Sequence, residues 1–349
     1  LNYDASKARV EAARGQVERA VRLAPQAVET ELAAGAYRLQ QREYAVAEQH
    51  FRRALALAPR DPRLALGLAE ALDGQQKTED ARDVWLTHPA FGGRDPRPLV
   101  EWAARIRVKD FPEAEKLFLR ALELAPTTRG YSQYLNALLL VGDAPTAKEL
   151  IASIPPAVLQ EDALVMDAVK AWTWGGEPEP ALALLARIPR DFLEEFVYST
   201  PKDAILGHAL KLQGRHAAAE AAWNRALAVL ETKLAAEPGR ARWLRLRADL
   251  LALTGRVEEA EKVQTLLQDL PNDSFANTDF YRARFLAHAG KAQEAAATIA
   301  GGKLWLREHS EGRLAPWFAE VRRQPRVTEL VKTWEREYEE MSRRRVVKG

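Results

Sequence analysis

The side chains that could carry chemistry are quickly counted. The six histidines, His50, His88, His208, His216, His288 and His309, would be the natural metal ligands or general bases. No two stand four residues apart, as a helical zinc site requires, and no acidic partner is patterned around them. Cysteine is absent, which excludes disulfides, thiolate metal sites and cysteine nucleophiles. The stretch GGRDPRP at 92–98 has two glycines but lacks the Gly-Lys-Ser/Thr ending of a phosphate loop. There is no nucleophile elbow and no kinase signature. Asn272-Asp273-Ser274 fits a glycosylation sequon, without a secretion signal to support it. The expectation is a non-enzyme with no catalytic residue, metal or cofactor.

Charge is equally neutral. The 51 Lys and Arg residues nearly cancel 49 Asp and Glu, leaving a net +2 over 349 residues. Such a balance argues against a general binder of nucleic acid. The end of the chain is more basic, with 12 basic and 8 acidic residues from Lys303 onward. No apolar run approaches the roughly 18 residues of a membrane span. Missing cysteine fits a reducing compartment, so the expected location is cytoplasmic. Leu1 opens the chain without an initiator Met, which predicts a fragment or processed product.

What must position any functional surface is a repeated phrase. FRRALALAPR at 51–60 has near-copies in VERAVRLAPQ at 17–26, FLRALELAPT at 118–127 and a looser WNRALAVLET at 223–232. Phe51, Ala54, Leu55 and Ala58 fall at helical spacing, and Pro59 stops the helix because it lacks an amide donor and disfavours helix in the residue before it. The wider frame is Ala, a large apolar residue, Ala and Pro. It recurs as Ala13-Val17-Ala20-Pro25, Ala47-Phe51-Ala54-Pro59 and Ala114-Phe118-Ala121-Pro126. Pro25 and Pro59 are 34 residues apart, and Pro59 and Pro126 are 67 apart.

This frame resembles the second half of the tetratricopeptide repeat, a helix–turn–helix unit of about 34 residues. The resemblance implies an all-α fold: a right-handed superhelical solenoid of stacked antiparallel hairpins. In that family small residues let first and second helices approach closely, and the first half should show an apolar residue and a Gly before each phrase: Ala34-Gly35 precedes Ala47, and Leu66-Gly67 precedes Ala81-Trp85. Carried onward, the frame pairs turn glycines with a small Ala five residues later: Gly142 with Ala147, Gly176 with Ala181, Gly214 with Ala219, Gly255 with Ala260 and Gly290 with Ala295. These alanines are 34, 38, 41 and 35 apart, and the longer steps predict stretched second helices, notably after Trp223. The organisation read from the frame is an array over 1–300, about eight hairpins after an N-terminal helix. Capping helices over 301–340 and a basic tail over 341–349 follow. Trp305, Trp317, Phe318, Val321, Val327, Leu330, Val331 and Trp334 are the residues available to close the last open face. Residues 7–24 read as a second helix without its partner, which predicts self-association through that end.

The closing pattern, a Pro-aromatic step, Arg-Arg-Gln-Pro-Arg and a short apolar helix, also resembles the end of repeat arrays in the C-terminal halves of bacterial signalling proteins. That resemblance implies regulation in cis of an upstream kinase, cyclase or DNA-binding domain. Members of the repeat family bind extended peptides along the concave groove lined by first helices. In their frame the inward positions here are Asn136, Lys170, Trp174, His208, Lys211, Arg242, Arg245, Asp249, Phe280, Arg284 and His288. In the N-terminal third the same positions give Leu32, Ala36, Leu64 and Leu68. Trp172, Trp85 and Trp223 take packing positions. The basic half implies an acidic segment as ligand, with salt-dependent steering. The carboxylate clamp that captures chaperone C-termini is not matched: Ser132, Asp167, Pro201 and Ile205 stand where it needs other residues. The reading is therefore a protein-interaction scaffold. Its rivals are the cis-regulatory segment and RNA binding by helical repeats, the latter opposed by near-neutral charge and by Asp249.

Overall fold

The computed structural model describes residues 7–195, 199–268, 278–302, 304 and 306–343. The sequon at 272–274, Trp305 and residues 344–349 of the basic tail lie outside the described residues. The chain forms two compact units, Leu1–Gly130 and Tyr131–Gly349. The architecture is an all-α solenoid of stacked antiparallel helix hairpins.

In the first unit, α1 (Lys7–Leu23) is followed by three packed pairs: α2 (Val28–Gln40) with α3 (Tyr44–Leu57), α4 (Pro62–Gly74) with α5 (Thr78–Thr87), and α6 (Arg97–Ile106) with α7 (Phe111–Leu124). The repeated phrase ends α1, α3 and α7 at Leu23, Leu57 and Leu124, each two residues before Pro25, Pro59 or Pro126. Asp61 and Asp110 then start new helices by accepting hydrogen bonds from the backbone N–H groups of Arg63 and Glu113. Packing follows the small–large alternation. Ala47, Ala54, Ala114 and Phe118 have no exposed surface, and Phe51 is 1% exposed. The ring of Phe51 lies against two glycines. A Cβ at Gly35 would meet it at 2.9 Å and one at Gly67 at 2.3 Å, so only glycine admits this helix approach.

In the second unit, α8 (Thr128–Val141) turns into α9 (Ala144–Ser153). Four packed pairs follow: α10 (Asp162–Trp174) with α11 (Pro178–Leu185), α12 (Lys202–Leu212) with α13 (His216–Ala236), α14 (Ala241–Leu253) with α15 (Val257–Gln268), and α16 (Thr278–His288) with α17 (Ala292–Gly301). Gly142, Gly176, Gly214, Gly255 and Gly290 make the turns with φ between 74° and 77°, the left-handed region that a side chain disfavours. The first unit makes the equivalent turns without glycine, at Arg42 (φ 60°) and Gln76 (φ 63°).

The two long steps in the frame are filled differently. The helix that carries Trp223, α13, runs 21 residues from His216 to Ala236, as no proline interrupts it. The 38-residue step does not stretch its helix: α11 has only 8 residues, and Pro189 bars its continuation. The extra length forms an antiparallel hairpin of β1 (Phe192–Glu194) and β2 (Ser199–Pro201), with Leu193 facing Thr200 and both fully buried. These are the only strands among the described residues.

The chain closes with α18 (Leu306–Leu314), a single turn at Pro316–Phe318, α19 (Ala319–Arg322) and α20 (Pro325–Arg343). Phe318, Val321, Val327 and Trp334 are buried, α19 and α20 lie on α17, and Leu330 and Val331 are half-buried. Tyr338, at 1% exposure, joins this cap.

Candidate functional site on the first-helix face

The eleven residues singled out by the repeat frame all lie on first helices of the second unit: α8, α10, α12, α14 and α16. The structure gathers them into two groups.

On α8 and α10, Asp167 collects the polar groups. Ser132 Oγ and Asn136 Nδ2 donate to its Oδ2 at 2.6 and 2.9 Å, and Lys170 Nζ donates to Asn136 Oδ1 at 3.3 Å. Burial raises the Asp167 carboxyl above its ordinary pKa, and the Lys170 charge and these two donors only partly oppose it. Lys170 also rests over the ring of Trp174, 4.6 Å from its centre. Asn136, Lys170 and Trp174 keep part of their surface exposed.

On α12, α14 and α16 the side chains meet the protein's own C-terminal segment. Trp317 lies 4.6 Å from the His208 ring and 5.6 Å from the His288 ring, and the two imidazoles stack at 5.5 Å. His208 also meets Trp223 edge-on at 5.6 Å, and Lys211 lies over that indole. Both imidazoles retain some surface, yet protein crowds them. Desolvation first, then the nearby Lys211 and Arg284 charges, brings His208 down to about 3. His288 is held well below the ordinary imidazole value by desolvation, then by His208, Arg284 and Lys211. Arg284 Nη2 pairs with Asp249 Oδ2 at 2.6 Å, and its Nη1 lies 3.8 Å from Glu311 of the C-terminal segment. Glu311 in turn accepts from Trp317 Nε1 at 3.2 Å. Burial pushes Asp249 up to about 6 despite its arginine. Arg245 and Arg284 both lie over the Tyr281 ring, and Arg242 lies beside Trp243. Phe280 is buried against Phe318.

The same segment reaches α8. Turn bonds are made to the carbonyls of Leu138 and Leu139, while that of Leu140 receives Arg313 Nη2 at 3.0 Å and Ser310 Oγ at 3.4 Å. These close one of the carbonyls a helix end leaves open. Gly142 lets the arginine in, for a Cβ there would stand 3.1 Å from Arg313 Nη2. Ser310, Glu311, Arg313 and Trp317 thus run across first helices from α8 to α16. Sequence periodicity gave no sign of this: Trp317 reads as an apolar cap residue, and the repeat frame singles out none of the other three.

In the first unit, Leu64 and Leu68 are buried in the core, whereas Leu32 and Ala36 are half-buried. The apolar stretch expected there is in large part helix–helix interface. Arg105 gathers charges nearby, with Asp73 at 2.7 Å, Glu101 at 3.4 Å and Glu70 at 3.7 Å, and lies over Trp85. Among the described residues no group of three or more His, Asp or Glu is placed to hold a metal ion, and no helix is long and apolar enough to cross a membrane.

Fold and face together define a helical-repeat protein. Two stretches are similar to tetratricopeptide repeats: family models described as tetratricopeptide repeat match residues 38–98 and 206–276. No curated protein matches the chain. Among solved structures, the APC/C hetero-tetramer Cut9–Hcn1 is similar at 15% identity and a TM-score of 0.37, over 84% of this chain and 46% of that one. This chain therefore spans about half the length of that relative. The TPR domain of P58(IPK) is similar at 13% identity and a TM-score of 0.26, over 90% of this chain and 98% of that one.

Proposed function

We propose that the protein is a non-catalytic cytoplasmic scaffold that takes a peptide or partner protein on the first-helix face of its second unit. The observation that carries this reading is the face itself. Five successive first helices carry polar, charged and aromatic side chains there, and on α8 and α10 Asn136, Lys170 and Trp174 keep part of their surface exposed. Lys170 over Trp174, beside Asn136, offers a cation, an indole and an amide to an acidic segment. A second reading, regulation in cis, is favoured by one observation: the α12–α16 part of the face already carries the chain's own segment. The array over 1–300 would then be the binding body and 301–340 its cap.

The test is a pull-down from source-cell lysate with wild type and a Lys170→Glu, Trp174→Ala variant of unchanged helicity. A partner captured by wild type and lost by the variant supports the scaffold. Equal capture moves the binding surface elsewhere. Capture of nothing by either protein defeats the scaffold reading and favours action in cis.

A further inference from the structure

The contact between residues 309–318 and the first-helix face has the character of a bound peptide. Its anchors are an indole packed against two mutually stacked imidazoles and a carboxylate facing Arg284, the ingredients of a recognition site more than of a hydrophobic core. It is also imperfectly satisfied. His288 Nδ1, His309 Nδ1 and Arg313 Nε are buried with no hydrogen-bond partner among the described residues. Each such atom weakens a contact relative to well-packed apolar burial. The cap beyond it is different, with Val321 and Val327 1% exposed, while Ala315 and Phe318 are the fully buried apolar anchors of the segment itself.

We infer that residues 309–318 are an intramolecular ligand of the α12–α16 face, and that this face accepts in trans a peptide with a tryptophan six residues after a glutamate, the spacing of Glu311 and Trp317. This rests on the reading of the first-helix face as a protein-binding surface. The carboxylate meets the Arg284–Asp249 pair, and the indole packs against both His208 and His288. Tethering gives the chain's own segment a high effective concentration, so an outside peptide binds wild type weakly and gains when the internal anchors are removed.

The probe is a fluorescent synthetic peptide of residues 306–320, LREHSEGRLAPWFAE, titrated into the full chain and followed by anisotropy. A Glu311→Ala, Trp317→Ala variant of the full chain should bind it at least about tenfold tighter than wild type, and a peptide lacking the tryptophan should lose that gain. A folded variant that binds no tighter than wild type overturns the inference. If the variant loses its helicity, hydrogen exchange on wild type decides. Excess peptide should speed exchange in 309–318 while α12 and α16 stay protected, and unchanged exchange at millimolar peptide refutes displacement. The two readings fail separately. No gain in peptide binding, with a lysate partner still lost from the Lys170→Glu, Trp174→Ala variant, removes the internal ligand and keeps the scaffold. Peptide binding without any lysate partner does the reverse.

Discussion

Gly207 offers the sharpest test of how the hairpins pack. A Cβ at this position would stand 2.2 Å from Trp223 Nε1, 2.5 Å from Cδ1 and 2.6 Å from Cε2. Non-bonded carbon contacts settle near 3.5–4.0 Å, so the ring would have to withdraw by about 1 Å or more. It has little room to do so. Trp223 is 4% exposed, its Nε1 donates to the Ala204 carbonyl at 3.2 Å, and His208 lies against it at 5.6 Å. Overpacking costs about 1–3 kcal/mol and the strained hydrogen bond about 1 kcal/mol, while alanine regains about 1 kcal/mol of helix propensity. Gly207→Ala should therefore destabilise the protein by about 1–3 kcal/mol, read as a lower urea midpoint. Trp223→Ala destabilises alone, by leaving a cavity, but it removes the atoms that clash. The double variant should be more stable than the sum of the two changes by about 1 kcal/mol. An unchanged midpoint for Gly207→Ala, or strict additivity in the double variant, would refute this packing account.

Acid should loosen the first-helix face. His208 and His288 are depressed in the fold but titrate near 6.5 when unfolded, so the unfolded chain binds more protons and stability falls as pH drops below that value. Asp249, raised to about 6, works the other way: its contribution is present at low pH and is lost as pH rises through 6. Two imidazoles outweigh one carboxyl, so these groups give a net loss of stability between pH 7 and pH 5. Urea midpoints should show it, and a His208→Asn, His288→Asn variant should not lose stability in step with wild type. Asp249→Asn takes the nearest carboxylate from Arg284, whose side chain is only 13% exposed, and should cost about 2–4 kcal/mol in the same assay. Ala47→Leu, at a position with no exposed surface, should cost about 1–3 kcal/mol, and an unchanged melting temperature would show the register to be wrong.

The repeated phrase made the hairpins legible because its signals are local. Proline ends a helix within two residues, and glycine five residues ahead of a small alanine marks a left-handed turn, found at all five glycines read from the frame. Arg42 and Gln76 hold the same turn without glycine, so composition alone does not reveal it there. The β1–β2 hairpin was hidden because a 38-residue step fixes how much chain is inserted and leaves its conformation open. The frame also chose side chains that share a face, since positions on successive first helices repeat with the hairpin. What lies on that face could not be read the same way. Trp317 meets His208 across more than a hundred residues, and such a contact leaves no periodic trace.

The bonds from Ser310 and Arg313 to the Leu140 carbonyl span 170 and 173 residues. At ribosomal rates of about 5–20 residues per second, the groups that finish the end of α8 emerge roughly 10–35 s after it. Hairpins that need only their neighbours can stack during that interval, while the first-helix face stands open until the final stretch of chain is made. Nascent protein thus passes through a stage in which α8 is uncapped and His208 and His288 are uncovered. A partner of the kind proposed, present at synthesis, would meet that surface before residues 309–318 do.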